Sequence, residues 1–438
     1  MNEHKTLSMN FVYILFLLVL FVVMNSTIFN VALPTIGQEL DLGATSLSWI
    51  VTSYTLITAI GSIIYGKLST YHSLRTLFFI GITFFVLGSL LGAFSQTLYL
   101  LIFSRIVQSI GGASFITLSF ITVSSYFPKH LQGRAFGILN AGVVLGSGVG
   151  PLLGGIITDF LGWSYIFVFM VLTLAFLPFI RLIPSTRTSN ESFDLFNIIL
   201  VTITAVIALL SVNVSYYLII IVPISCLITV KNLNRTPDPF INVTLFKKSE
   251  FKFLLFIGFV SYSSIVASFV LMPFYLRAIY QLQPLEIGIF MLVAACFSAT
   301  ASLIIGKRVQ RDLIVPILAL GSLMMVSGFL LIGLLQTSLI ILLIFYILIY
   351  IGFSFIQVTS LFFISDIFKE EKSKSEAVSI FNFFSFLGMA FGPASYTKLF
   401  ALLSSEKIIF LIIASISALN FLFIYMIISH QSDVKKVK

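Results

Sequence analysis

The chain has 438 residues, of which 59% are hydrophobic and only 9% charged, and its formal net charge is +9. So thin a polar coat cannot cover that much apolar surface in a water-soluble domain. The apolar runs are about 20 residues long, the length of a membrane-crossing helix, so the expected fold class is all-α and polytopic, and a barrel is excluded.

Fourteen spans are predicted, at 10–33, 47–68, 75–96, 98–126, 134–158, 163–183, 195–212, 215–230, 252–276, 285–305, 313–334, 338–365, 376–400 and 407–429. The first has no cleavage-site pattern and is followed by further spans, so it reads as a helix and not a signal peptide. It carries Asn25, Ser26 and Asn30 in an otherwise apolar run. Ser26 and Asn30 are four apart and share a face, so a cavity role stands beside helix bridging, a common task of polar groups in lipid. Span four contains Arg105, the one charge deep in a span, with Gln108 a turn further on. A buried arginine costs roughly 3 kcal/mol on insertion scales and must face partners or a water-filled cavity. A structural arginine bonded to carbonyls or Asn side chains and a substrate anchor are both open. As an anchor it favours anionic, zwitterionic or neutral cargo.

In span five Gly142, Gly146, Gly150 and Gly154 recur every four residues as a smooth ridge, and Pro151 offers a bend. Plain close helix packing is one reading. A seam along which two halves slide is the other. Span twelve adds Gln357. Span thirteen adds Asn382, Pro393 and the aromatic cluster Phe381, Phe383 and Phe384, candidates for an adaptable apolar pocket. For Asn140 of span five and its repeat partner Asn382 two readings stand: facing each other across a central axis, or bridging neighbouring helices.

The loops alternate in charge. One set carries nearly all of the 25 basic residues, while the other holds Arg277, Lys398 and Lys407. The positive-inside rule then places both termini in the cytoplasm. The basic excess is topology, which removes a nucleic-acid partner. Cys226 and Cys296 both lie inside spans and read as unpaired core residues, and the four histidines have no ligand spacing, so neither metal nor cofactor is expected. No catalytic cluster points to an enzyme.

Two repeats organise the chain. "GSIIYGKL" at 61–68 matches "ASLIIGKR" at 301–308, and "AFGILNAGVVLGSGVGP" at 135–151 matches "AVSIFNFFSFLGMAFGP" at 377–393. The offsets of 240 and 242 agree, and both copies run in the same direction. Two parallel six-span halves with spans seven and eight inserted between them describe the major facilitator architecture. The expected division is 1–185, 186–251 (the inserted pair and a linker) and 252–438.

All sixteen acids fall in loops, tails or span ends. Buried carboxylates are the usual proton relays of transporters. Asp159 and Asp366 remain as coupling candidates, beside the reading that each is a solvated helix-end charge.

Several motifs carry a family resemblance. "GSGVGPLLGG" resembles the antiporter motif of major facilitator exporters, "RIVQSIGGA" their fourth-span motif, and "STIFNVALPTI" the first-span motif of fourteen-span drug:proton antiporters. "YGKLS", "GRAFG", "WSY" and "DPF" look most like the tetracycline exporters of Gram-positive bacteria. The resemblance implies export of amphipathic small molecules by alternating access and proton antiport across a bacterial cytoplasmic membrane. It also implies a conformational set: Gly66, Lys67 and Arg75 in the gating loop, Gly306 in its repeat, the span-five glycines with Pro151, and Pro393. The substrate-binding candidates are Asn25, Ser26, Asn30, Arg105, Gln108, Asn140, Gln357 and Asn382. The departures are pointed. Those exporters carry acids where this chain has Asn25-Ser26, Ser147 and Met389, and the gating loop has Thr70 in place of an aspartate. A facilitator or lipid-type translocase without proton coupling, and a non-transporting sensor on the same fold, therefore stay open. The partners expected are a small molecule, protons and the lipid bilayer. A monomer is the expectation, with the oligomeric state left open.

Overall fold

The computed structural model describes residues 8–42, 44–183, 195–213, 216–236, 239, 241–335, 338–403 and 405–436. It is all-helical: with no water in a bilayer core, each backbone amide must bond within its own segment, and apolar runs of this length therefore wind into helices. The first half comprises α1 (Met9–Glu39), α2 (Ala44–Tyr71), α3 (Leu74–Ala93), α4 (Leu98–Tyr126) and α5 (Lys129–Phe160). Its sixth member is broken into α6 (Ser164–Met170), a 3-10 stretch and α7 (Leu177–Ile180). Next come α8 (Leu195–Asn213) and α9 (Ile221–Leu233). The second half comprises α10 (Ser249–Tyr280), α11 (Pro284–Arg308), α12 (Ile314–Leu334), α13 (Leu339–Ile367) and α14 (Glu371–Leu403). The chain closes with α15 (Glu406–Ser417) and α16 (Leu419–Lys436).

Among the described residues, eleven helices are long and apolar enough to cross a membrane. Predicted spans six, seven and eight are the shorter apolar helices Ser164–Ile180, Phe196–Ala208 and Ile221–Leu233. The protein is a multi-pass membrane protein. The boundary expected between residues 185 and 186 lies outside the described residues.

Local chemistry sets several ends. Ser73 and Thr97 cap α3 and α4 by accepting from the amides of Thr76 and Leu100. At α11, Pro284 takes the first helical position and Glu286 accepts from the Gln283 amide at 2.7 Å, closing a capping box.

Packing repeats between the halves. In each, the first member packs on the fifth (α1 on α5, α10 on α14), the second on the fourth (α2 on α4, α11 on α13) and the third on the fourth. The halves meet along α5–α11 and α2–α14, contacts that interchange when the halves are exchanged. The paired sequence repeats thus become a two-fold pseudosymmetric bundle. The helix α8 leans on α14 and α2, next to that junction.

The span-five glycine ridge lies inside the first half. A Cβ on Gly142, Gly146, Gly150 or Gly154 would strike the α1 backbone or side chains at Phe16, Leu20, Met24, Thr27 or Ile28. Gly388 and Gly392 repeat this against Phe259 and Ser263 of α10. Of the two readings, plain close packing is the one these contacts match, and a seam between halves is not: these four glycines seat α5 on α1. The approach between halves uses other small residues, Gly133 and Gly137 of α5 against Gly306 of α11, and Gly66 of α2 against Ser379 of α14.

Candidate functional site

At the end of the bundle that carries the basic loops, the two halves are fastened. Gly66 abuts Ser379, and the Ser69 and Ser375 hydroxyls share a hydrogen bond. Lys67 and Glu376, 3% and 4% exposed, pair across the halves at 3.5 Å. Lys67 also donates to the carbonyl of Pro239, in the stretch leading into α10, at 3.0 Å. A small void beside them is lined by Lys67, Glu376, Ile241 and Asn242. Asp366 is held by Lys129 at 2.9 Å and by Arg311 at 3.4 Å. Arg75 sits half-buried in the first turn of α3.

Further along, α2 and α14 part around a cavity of about 380 Å³. Its walls come from α1, α2, α4, α5, α10, α13 and α14, so both halves contribute. The apolar lining includes Val22, Ile116, Val143, Phe269, Phe353, Phe386 and Met389, and the polar lining Ser26, Asn30, Tyr54, Thr55, Thr58, Ser147 and Tyr262. Among the described residues, no charged side chain lines it. Ser26, Thr55, Thr58 and Ser147 each donate back to a carbonyl of their own helix, at 2.7–3.0 Å. Their protons are thus engaged, and each hydroxyl has lone pairs left to accept from a guest.

Of the predicted binding residues, Ser26 and Asn30 line this cavity, as does Pro393 of the conformational set; Asn25, Arg105, Gln108, Asn140, Gln357 and Asn382 do not. Arg105 is fully buried behind the wall, its guanidinium between the rings of Phe29 and Tyr54 at 4.2 and 4.1 Å. It donates to Gln108 Oε1 at 2.6 Å, to Asn25 Oδ1 at 3.4 Å and to the Ile50 carbonyl at 3.4 Å. Gln108 in turn donates to Ser89, tying α4 to α3. The structural reading of Arg105 is the one this packing matches.

Of the two readings of Asn140 and Asn382, the meeting across a central axis is corrected. Asn140 of α5 donates to Ser302 of α11 and Ser354 of α13 at 3.1 and 3.0 Å, and Ser302 donates to the Gly137 carbonyl. Ser298 joins the same cluster through Ser354 at 2.7 Å. Asn382 and Gln357 are buried elsewhere, each with an amide nitrogen that finds no partner. The aromatic pocket around Phe381, Phe383 and Phe384 is corrected too: the lining rings are Phe269, Phe353 and Phe386, while Phe381 packs on Gly258.

Neither coupling candidate reaches the cavity. Asp159 is exposed at the last turn of α5, and Asp366 belongs to the fastened end. Sequence reasoning missed Glu376, placed at a span end yet the one carboxylate buried among the described residues. It also missed Tyr262 and the threonines of α2, which no motif distinguishes, and Tyr54, although Tyr54 closes the W-x-x-x-S-Y pattern of residues 49–54 shared with the tetracycline exporters.

The match to the family model described as Major Facilitator Superfamily covers residues 15–393 and 254–437. Similar proteins include the riboflavin transporter RibZ of Clostridioides difficile, 31% identical over 62% of this chain and 61% of that protein. The lincomycin resistance protein LmrB of Listeria monocytogenes is 26% identical over 67% of this chain and 66% of that protein. Multidrug resistance protein 3 of Bacillus subtilis is 36% identical over 37% of this chain and 32% of that protein. The matched region thus spans less than two thirds of each relative's length. Among solved structures, the human organic anion transporter MFSD10 (TETRAN) superimposes with a TM-score of 0.73 at 15% identity, covering 94% of this chain and 98% of that one. The proton:xylose symporter XylE gives 0.70 at 13% identity, covering 95% and 96%. These likenesses establish the fold. The chain belongs to the major facilitator superfamily, a family of transporters.

Proposed function

We propose that this member of the major facilitator superfamily exports uncharged amphipathic small molecules by alternating access, in the manner of the drug-resistance proteins it resembles. The observation that carries the reading is the cavity between the halves: apolar, rimmed by hydroxyl oxygens, free of charged side chains, and fastened shut at the basic end only a few turns away. Such a lining rewards a guest with an apolar body and hydrogen-bond donors, and penalises a naked ion. Of the places where tetracycline exporters carry acids, Ser147 and Met389 lie on the cavity wall, and of the Asn25-Ser26 pair Ser26 does while Asn25 does not. In this reading the basic end and both termini face the cytoplasm, the inserted pair completes fourteen membrane helices, and the protein works as a monomer in the bacterial cell membrane.

The test is a susceptibility and transport profile. Cells with and without the gene are challenged with tetracycline and lincomycin, and uptake of these compounds and of riboflavin is followed in inverted vesicles. Accumulation of at least one neutral amphiphile is expected. No accumulation of any, with the protein folded and inserted, overturns export and favours a sensor.

The energy source divides two readings. The drug:proton resemblance supports proton antiport, in which vesicle uptake collapses with a protonophore. Among the described residues no carboxylate lines the cavity, which favours the alternative, a facilitator driven by the cargo gradient, in which uptake survives it.

A further inference from the structure

We propose that Arg105 holds a small monovalent anion, chloride in size and charge, behind Tyr54 in the wall of the cavity. Arg105 is 0% exposed, yet among the described residues no carboxylate lies within ion-pairing distance of it. Its acceptors, Gln108 Oε1, Asn25 Oδ1 and the Ile50 carbonyl, are all neutral. The rings of Phe29 and Tyr54 attract the cation without supplying a formal negative charge. Buried charges in proteins are paired, because desolvating an unpaired one is expensive.

The unfilled positions around it agree in sign. Arg105 Nη2 has no acceptor. The Asn25 amide and the Thr58 hydroxyl both face the Tyr54 hydroxyl, and neither contact, nor any other at Asn25 Nδ2, has full hydrogen-bond geometry. The two nitrogens are donors only, and the hydroxyl can be one. A group of donors around an uncompensated guanidinium selects an anion, and a cation is repelled. Water could accept some of these protons but leaves the charge unbalanced. Tyr54 lines the cavity on one side and stacks on Arg105 on the other, so rotation of this one ring connects the site to the cavity. Gly112 faces the Tyr54 hydroxyl, and a Cβ there would stand 2.5 Å from it. The missing side chain lets that hydroxyl pack directly against the α4 backbone.

The negative charge has two possible sources, a free inorganic anion or the anionic head of a cargo molecule. The inference commits to the free ion. The test uses the purified full chain in lipid nanodiscs without cargo, so it is independent of whether the protein exports. Thermal unfolding is followed while chloride replaces gluconate at constant ionic strength. Chloride is expected to raise the melting temperature saturably, by roughly 2–4 °C at full occupancy. Asn25→Asp places a carboxylate beside the guanidinium, and should stabilise the protein in gluconate and abolish the chloride response. Arg105→Gln should abolish the response as well. No saturable response in the parent protein overturns the inference, as does an undiminished response in Asn25→Asp. Stabilisation by benzoate but not by chloride also overturns it, and assigns the site to a cargo carboxylate.

Discussion

Removing one partner of the Lys67–Glu376 pair should unlock the basic end. The two side chains are 3% and 4% exposed and stand 3.5 Å apart across the halves, and Lys67 also donates to Pro239. Truncating one partner of a buried pair typically costs 3 kcal/mol or more, most of it from the charge left behind. That cost falls on the fastened form alone, because parting the halves returns the remaining charge to water. Lys67→Met should therefore shift the equilibrium toward the open basic end by about 3 kcal/mol, or roughly 150-fold. Ser379, which is buried against Gly66, reports the change. With Cys226 and Cys296 replaced by serine, a Ser379→Cys chain is labelled by a hydrophilic maleimide in inverted vesicles. Labelling should accelerate by one to two orders of magnitude in Lys67→Met and in Glu376→Gln. It should return close to the parent rate in Lys67→Met/Glu376→Leu, where neither charge of the pair remains to be desolvated. Rates within twofold of the parent in both single variants would refute the lock. A double variant as open as the singles would show that volume, and not charge, governs the contact.

The other expectations are smaller in scope. Asp366→Asn should alter the same labelling rate less than about threefold, since Lys129 and Arg311 are 54% and 82% exposed and such pairs contribute about 0.2–1 kcal/mol each. Gly150→Val should lower the melting temperature by several degrees, because its Cβ meets the Thr27 hydroxyl and the Met24 carbonyl and overpacking costs about 1–3 kcal/mol. Asn140→Ala strips two hydrogen bonds from Ser302 and Ser354 and should cost about 1–3 kcal/mol, read as a lower melting temperature with cargo KM unchanged, since Asn140 does not line the cavity. Phe353→Ala should instead raise KM several-fold with little change in kcat, and an unchanged KM would remove it from the binding surface.

The difference between what the sequence disclosed and what it hid follows from how membrane helices are encoded. Span existence is a property of composition over 20 residues, so α4 emerges with the predicted limits of 98 and 126. The repeats identify which helices correspond, and the pairings α1–α5 and α10–α14 obey them. Partner choice is another matter. A glycine every fourth residue announces that some backbone comes close. It does not say whose, and the span-five ridge met α1, not the other half.

The cavity was the least legible part. Its lining is drawn from seven helices, mostly as valine, threonine and phenylalanine that recur throughout the chain. Rotation of each helix decides which of them faces inward, and no local pattern records that rotation when every face is apolar. Polar residues were a poor guide for a physical reason. A side chain that must satisfy several hydrogen bonds in lipid is pulled between helices, where partners are fixed. Asn140, Arg105 and Gln108 went there. Hydroxyls that satisfy themselves on their own backbone are free to line a guest's path, as Ser26, Thr55, Thr58 and Ser147 do. The same reasoning places selectivity in the small hydroxyl residues and leaves the conspicuous amides and the arginine to hold the wall. Replacing Thr58 with valine should therefore change cargo preference while the fold persists, whereas replacing Gln108 should loosen α4 from α3 before it changes any preference.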